Sequence, residues 1–240
     1  MVKETSESAV EIYQFHVWIR QISPMIWRRL LVRSDSSIED FHHTLQIAFG
    51  WSDEHLNLFH IHGQDYGVYH DGGIRFSKNP KLVKLGDFKF RKNERFTYEY
   101  DFGDCWEHSV RLEARLPLDK DKTYPRCIDG RRRAPPEDHG GPIAFMARRD
   151  EIPMQEFELL QDIVESLPID DLAGIRARID DISELQEWLD LDKFDRRAVN
   201  HQLEQFSAND PAWQLEQQGD GDGLCCVSGV ESKRVVRLAW

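Results

Sequence analysis

From Tyr13 to Arg20 every second residue is apolar: Tyr13, Phe15, Val17 and Ile19 fall on one side of an extended chain. Successive side chains of a strand point to opposite faces, so this spacing predicts a strand with one buried face. The same rhythm returns in Phe96-Thr97-Tyr98-Glu99-Tyr100 and in His108-Ser109-Val110-Arg111-Leu112. Between them lies only Asp101-Phe102-Gly103-Asp104-Cys105-Trp106-Glu107, a short link containing Gly. Two alternating runs around such a link predict an antiparallel hairpin. A sheet buried on one face needs something to pack on that face, and this requirement limits the possible folds.

One helix suits that role. Ser37 is a good N-cap, with Asp40 three residues on, and Ile38, Phe41, Leu45, Ala48 and Phe49 recur at helical spacing. Gly50 is placed to end it. Ile26, Arg28, Leu30 and Val32 alternate with Trp27, Arg29, Leu31 and Arg33, which predicts a second strand with its arginines towards solvent or an edge. Asn57 to Gly63 reads as another strand, and Ser52-Asp53-Glu54 as a helix start before His55. Residues 63–94 read as a long connection with short structured pieces. Residues 117–143, rich in Pro and Gly, read as an ordered loop. Pro153 is expected to open a helix with Phe157, Leu160, Ile163 and Val164 as its stripe. Further helices fit 183–190 and 195–206, the latter with Val199, Leu203 and Phe206 inward. The expected class is α+β: a largely antiparallel sheet, one N-terminal helix packed on it, and acidic helices towards the C-terminus.

Charge divides the chain differently. The 240 residues carry 31 Lys and Arg against 43 Asp and Glu, a net charge of -12. From Glu151 to Gln218 there are 17 acidic and 5 basic residues, so this segment alone accounts for 5 − 17 = −12. The expected organisation is a disordered stretch at 1–10 and a single domain over 11–206, strand-rich to 150 and acidic-helical from 151. A tail follows over 207–240, with a Gly219–Gly223 hinge, free thiols at Cys225 and Cys226, and a last strand at 235–240. The acidic balance argues against non-specific coating of nucleic acid, which needs a positive footprint. With 4 cysteines there is no disulfide framework. No apolar run is long enough to cross a membrane, and the polar N-terminus lacks a secretory signal, so a cytoplasmic protein is expected.

Polar chemistry is concentrated in two places. Asp101, Asp104 and His108 lie within the predicted hairpin, and Glu137 and Asp138 in the Pro/Gly loop; these five are the candidate acid–base residues. Cys127 and His139 close that loop. Together with Asp104 and His108 they form a candidate zinc set, if the hairpin folds over the loop. Turn formation and capping explain the carboxylates equally well, and packing explains Cys127. Arg126, Arg131, Arg132 and Arg133 make a basic patch for an anionic partner, or for the chain's own acidic segment. His60 and His62 fall on one strand face, whereas the adjacent His42 and His43 diverge on a helix.

At these residues the sequence resembles the plasmid pRiA4b ORF-3-like family, whose members also carry the label of insertion-element passenger proteins of TnpR type. The likeness runs through Tyr13–Arg20 and Ile22–Arg29 to Phe41-His42, Gly50-Trp51, His55-Leu56 and Phe59. It is sharpest at Tyr98–His108, Pro125–Gly130 and Pro135–Gly141, and extends to Phe194-Asp195 and Val199-Asn200. The resemblance implies an α+β domain over about residues 11–206 from a mobile-element setting. Family members often carry Cys where this chain has His139, an exchange between two zinc ligands. The nucleophilic Ser, supporting arginines and basic helix-turn-helix of a serine recombinase are not in this sequence. Two functions are expected from these features. The first is a binding or interaction module, with a protein partner favoured over nucleic acid. The alternative is a metal-dependent enzyme of hydrolytic type, with its site between the 101–108 turn and the 125–141 loop.

Overall fold

The computed structural model describes residues 9–68, 76, 78–166 and 190–214. Seven strands form one antiparallel sheet: β1 (Glu11–Ile19), β2 (Trp27–Arg33), β3 (Asn57–Ile61), β4 (Gln64–Tyr66), β5 (Arg95–Tyr100), β6 (Trp106–Pro117) and β7 (Arg126–Arg131). Their order across the sheet is β4-β3-β5-β6-β1-β2-β7. The predicted hairpin is β5–β6, with Tyr98 opposite His108 and Tyr100 opposite Trp106. β1 pairs with β2 through Phe15↔Leu30 and Trp18↔Trp27. The fold is α+β, as expected.

Helix α1 (Ile38–Phe49) covers the inner face. Its capping box is complete: Ser37 Oγ accepts from the Asp40 amide at 3.0 Å, and the Asp40 carboxylate accepts from the Ser37 amide at 2.8 Å. Gly50, at φ 75°, ends the helix in the left-handed conformation that glycine adopts without a Cβ clash. The apolar stripe is buried throughout, and Phe41 stacks on Phe59 at 5.6 Å and on Phe15 at 5.0 Å. Burial of this aromatic set between helix and sheet is the main source of stability.

α2 (Gly141–Ser166) begins at Gly141 and runs through Pro153, so Pro153 does not open it. The change of charge near residue 150 therefore falls inside a helix. α3 (Arg196–Ser207) matches the expected 195–206 element, with Asp195 as N-cap and Leu203 fully buried; Val199 and Phe206 pack against the core. The side chains of Phe157, Leu160, Ile163 and Val164, the helix expected at 183–190, the Gly219–Gly223 hinge, Cys225, Cys226 and the 235–240 strand lie outside the described residues.

Three further expectations are corrected. Ser52–Glu54 is not a helix start: Asp53 adopts φ 63° in an irregular link, which follows from Gly50 having already turned the chain. The 117–143 segment is not all loop, because β7 lies within it and closes one edge of the sheet. And Arg28 does not face solvent. It is 2% exposed on the inner face of β2. Its Nε donates to the Ala48 carbonyl at 2.7 Å, and its Nη1 donates to the Trp27 and Arg131 carbonyls at 2.9 and 3.0 Å. The guanidinium stacks on Phe194 at 3.8 Å. Ala48 belongs to the last turn of α1, where carbonyls carry partial negative charge, so helix and carbonyls compensate a buried cation.

Candidate functional site

The two polar segments do meet. The end of β5, the turn after it and the loop following β7 converge over Trp51, whose indole donates to the Pro135 carbonyl at 2.9 Å. Glu137 reaches inward: its carboxylate accepts from the Ser52 amide at 3.0–3.1 Å and from the Tyr100 hydroxyl at 2.5 Å. Burial, with this carboxylate alongside, pushes the Tyr100 phenol well above its ordinary value. Asp104 accepts from the Gly140 amide at 3.1 Å, which ties turn to loop. The approach is so close that a Cβ on Gly141 would stand 2.2 Å from the Asp104 carbonyl, and Gly141 itself has φ 76°. Only glycine fits there.

Asp101 sits at φ 56°, and its Oδ1 accepts from the amides of Gly103 at 2.9 Å and Asp104 at 3.4 Å. Its other oxygen lies 3.9 Å from His55 Nε2, and Asp138 Oδ1 lies 3.2 Å from the same nitrogen. Sequence reasoning did not group these three residues. His55 stands far from both aspartates along the chain, and nothing in its local sequence ties it to them.

His108 is elsewhere. It is wholly buried and packs at 4.8–5.3 Å against Phe49, Trp51 and Tyr98. Nδ1 donates to the Trp106 carbonyl at 3.0 Å, while Nε2 has no hydrogen bond. Burial pushes its pKa down to about 3, so it is neutral at pH 7. Cys127 is buried on β7; its thiol donates to the Asp129 carbonyl at 3.3 Å and is pushed up to about 11 by burial. His139 is exposed, with Nδ1 on the Glu137 carbonyl at 2.8 Å. The predicted zinc set Asp104, His108, Cys127 and His139 is thus not brought together. Among the described residues, the groups of three or more potential ligands within 4.8 Å of one another are His42–His43–Asp53 and His55–Asp101–Asp138. The physical reason is face parity: His108 shares the inner face with Val110 and Leu112, whereas Asp104 and His139 lie on the turn and loop outside it.

The His42 group is a core network. His42 is fully buried, with Nε2 2.5 Å from Asp53 Oδ1 and Nδ1 2.9 Å from the Tyr98 hydroxyl. Gln46 donates to that hydroxyl at 2.8 Å and accepts from the Asp53 amide at 3.2 Å. A carboxylate only accepts, so His42 Nε2 carries the proton. Burial works against ionisation of Asp53, but hydrogen bonds from His42 and His43 outweigh it and hold the carboxyl well below its ordinary range. His60 and His62 do not share a site. His60 pairs with Asp65 at 2.6 Å, whereas His62, at φ 51°, has left the strand and pairs with Glu94.

In the arginine patch, Arg126, Arg131 and Arg133 are exposed. Arg132 binds Asp192 of the chain's own acidic segment at 2.8 Å and the Met25 carbonyl at 3.2 Å. A second surface of charged and aromatic residues, not foreseen, lies on the outer face of the sheet. His16 sits 5.1 Å from both Trp18 and Trp27. Arg95 and Arg111 stand over Trp18 at 5.4 and 5.9 Å, and Arg29 over Trp27 at 5.2 Å. Glu113 joins Arg29, Arg111 and Gln14; burial opposes its ionisation, but their hydrogen bonds bring it down to about 2. The signal was present in the odd–even pattern of β1 and β2, but only the pairing of β5 and β6 beside them assembles the surface.

A seven-stranded antiparallel sheet with one helix across its inner face and loops knotted at one end defines an α+β domain. The model of the plasmid pRiA4b ORF-3-like proteins matches residues 11–202, and the chain belongs to that family. It is 30% identical over 138 residues to the uncharacterized protein y4hQ of Sinorhizobium fredii (strain NBRC 101917 / NGR234), covering 56% of this chain and 69% of that protein. The crystal structure of MM3350, a protein of unknown function from Methanosarcina mazei Go1, is similar with a TM-score of 0.57 and 28% identity, over 79% of this chain and 98% of that one. No described helix is long and apolar enough to cross a membrane.

Proposed function

We propose that the chain is a cytoplasmic binding module from a mobile-element setting, taking an acid-rich segment of a partner protein on the outer face of its sheet. One observation carries this reading: of the four carboxylates expected to do acid–base work, three are engaged in holding the turn and the loop, and the fourth, Asp138, lies exposed beside His55. Asp101 caps its own turn, Asp104 holds Gly140, and Glu137 holds Ser52 and Tyr100. His108, sealed in the core, has no route to a substrate. The outer face offers what a binding surface needs: two half-buried indoles with Arg29, Arg95 and Arg111 around them. Three arginines beside the indoles suit a partner carrying a few carboxylates, rather than the long phosphate backbone of a nucleic acid, which the overall charge of -12 repels more strongly. The family's description as a plasmid reading frame supports the setting.

The test is fluorescence anisotropy of a labelled peptide rich in Glu and Asp, with an oligothymidylate as competitor probe. Saturable peptide binding that weakens with salt, and at least tenfold in Arg95→Glu and Trp18→Ser, is expected. Equal binding by these variants, or tighter oligonucleotide binding at the same face, would overturn it.

A further inference from the structure

The junction of turn and loop holds a grouping that capping does not explain. His55, Asp101 and Asp138 come from three segments: the link after α1, the turn between β5 and β6, and the loop before α2. We infer that these three side chains form a binding site for a divalent first-row metal cation, zinc by donor set, which clamps the three segments together.

Geometry carries the proposal. His55 Nε2 is closed off from solvent and makes no hydrogen bond, yet it faces carboxylate oxygens at 3.2 and 3.9 Å. A buried imidazole nitrogen without a hydrogen bond is costly, and a metal satisfies it. Neighbouring ligands of a tetrahedral centre with bonds of about 2.0–2.1 Å stand roughly 3.3–3.4 Å apart; Asp138 already stands at 3.2 Å from His55 Nε2, and Asp101, at 3.9 Å, has a short way to close. All three ligand atoms lie within 4.8 Å of one another. Two carboxylates at that separation repel, and a cation between them relieves the repulsion.

The surroundings fix the ligands. Asp101 keeps Oδ1 on the Gly103 and Asp104 amides, which turns Oδ2 towards His55. The His55 ring lies edge-on to Tyr100 at 5.8 Å, and Tyr100 is anchored by Glu137. Partners of this kind orient metal ligands. Asp138 is 75% exposed, giving an entry path and leaving coordination positions to solvent. One imidazole with two carboxylates suits zinc or its first-row neighbours; calcium prefers all-oxygen sites. The His42 network differs, because both nitrogens of His42 are already engaged at 2.5 and 2.9 Å.

The site goes beyond the reading of the sheet face as a binding surface. Its test reads different residues, so either can fail alone. The full chain, stripped with chelator, is titrated with Zn2+ by calorimetry, and its cobalt form is read by visible absorption. One equivalent bound with a dissociation constant in the micromolar range or tighter is expected, with a cobalt spectrum of four- or five-coordinate type. Asp138→Asn, an exposed substitution that leaves the fold intact, should weaken binding at least tenfold, as should His55→Gln; His60→Gln should not. Absence of stoichiometric zinc binding overturns the site. So does binding that Asp138→Asn leaves unchanged, or that His60→Gln abolishes.

Discussion

Asn200 on α3 holds Cys127 on β7 as a neighbouring strand would: the Cys127 amide donates to Asn200 Oδ1 at 2.8 Å, and Asn200 Nδ2 donates to the Cys127 carbonyl at 2.8 Å. Arg196 adds a bond to the Ile128 carbonyl at 2.7 Å. β7 is the last strand on its side of the sheet, where unpaired backbone groups invite association with other chains. A side-chain amide offers one donor and one acceptor, matching the backbone it faces. Asn200→Ala should therefore cost about 1–3 kcal/mol in urea unfolding. It should also raise light scattering on heating more than Asn209→Ala does.

His108 gives a pH dependence of known sign. Its folded-state pKa, about 3, lies below the ordinary histidine value. The unfolded chain therefore takes up a proton near pH 6.5 that the folded chain refuses. Stability from this group is present above about pH 6.5 and is lost as pH falls towards 3, by up to about 1.4 kcal/mol per pH unit. In His108→Leu the unfolding free energy should fall less between pH 6.5 and 4.5 than in the parent; equal slopes in urea denaturation would refute the assignment.

Asp53 acts at lower pH. Hydrogen bonds from His42 and His43 overcome the opposing effect of burial and hold its carboxyl below the ordinary value. Its contribution is present above about pH 4 and drains away below that. Asp53→Asn should lower the melting temperature at pH 7 and flatten the acid limb below pH 4, both read by calorimetry.

Gly141→Ala meets two obstacles, the φ of 76° and the Asp104 carbonyl 2.2 Å from the new Cβ. A loss of several kcal/mol is expected, on the order of 2–4. Gly63→Ala, also at positive φ but in open space, should cost about 1–2 kcal/mol. Comparable losses for the two would show that the turn and loop are not in contact.

Arg28→Ala removes the partner of one buried and two part-buried carbonyls and the stack on Phe194, with an expected cost of roughly 3–5 kcal/mol. Arg28→Met, which keeps the volume, should recover part of it.

The sequence disclosed what local chemistry decides. The Ser37–Asp40 box, the stripe of α1, the stop at Gly50 and the β5–β6 hairpin each depend on residues a few positions apart. Arg28 shows where such reading stops. Its position in the alternation of β2 put it inside, but its charge pointed outside; besides the neighbouring Trp27 carbonyl, the groups that accept it, the Ala48 and Arg131 carbonyls and the Phe194 ring, come from distant segments. β7 was masked by the prolines and glycines on either side, because its pairing with β2 and α3, rather than its own pattern, makes it a strand. The site behaved likewise. Convergence of the 101–108 turn with the 125–141 loop was legible, but the partition of the residues was not: His108 faces inward, Cys127 lies on another edge, and His55 enters from a link that carried no marker of its own.

Trp51, Tyr100, Asp104, Glu137 and Gly141 meet at a point that no contiguous stretch of chain can build. The junction needs the sheet in register, α1 terminated at Gly50 and the segment after β7 folded back, so its loop closures span much of the domain. A nascent chain that has not yet delivered residues 135–141 leaves the Trp51 indole without its acceptor and Tyr100 without its carboxylate. The burial of Trp51 thus reports closure of this junction, and a probe of that indole would time it during assembly.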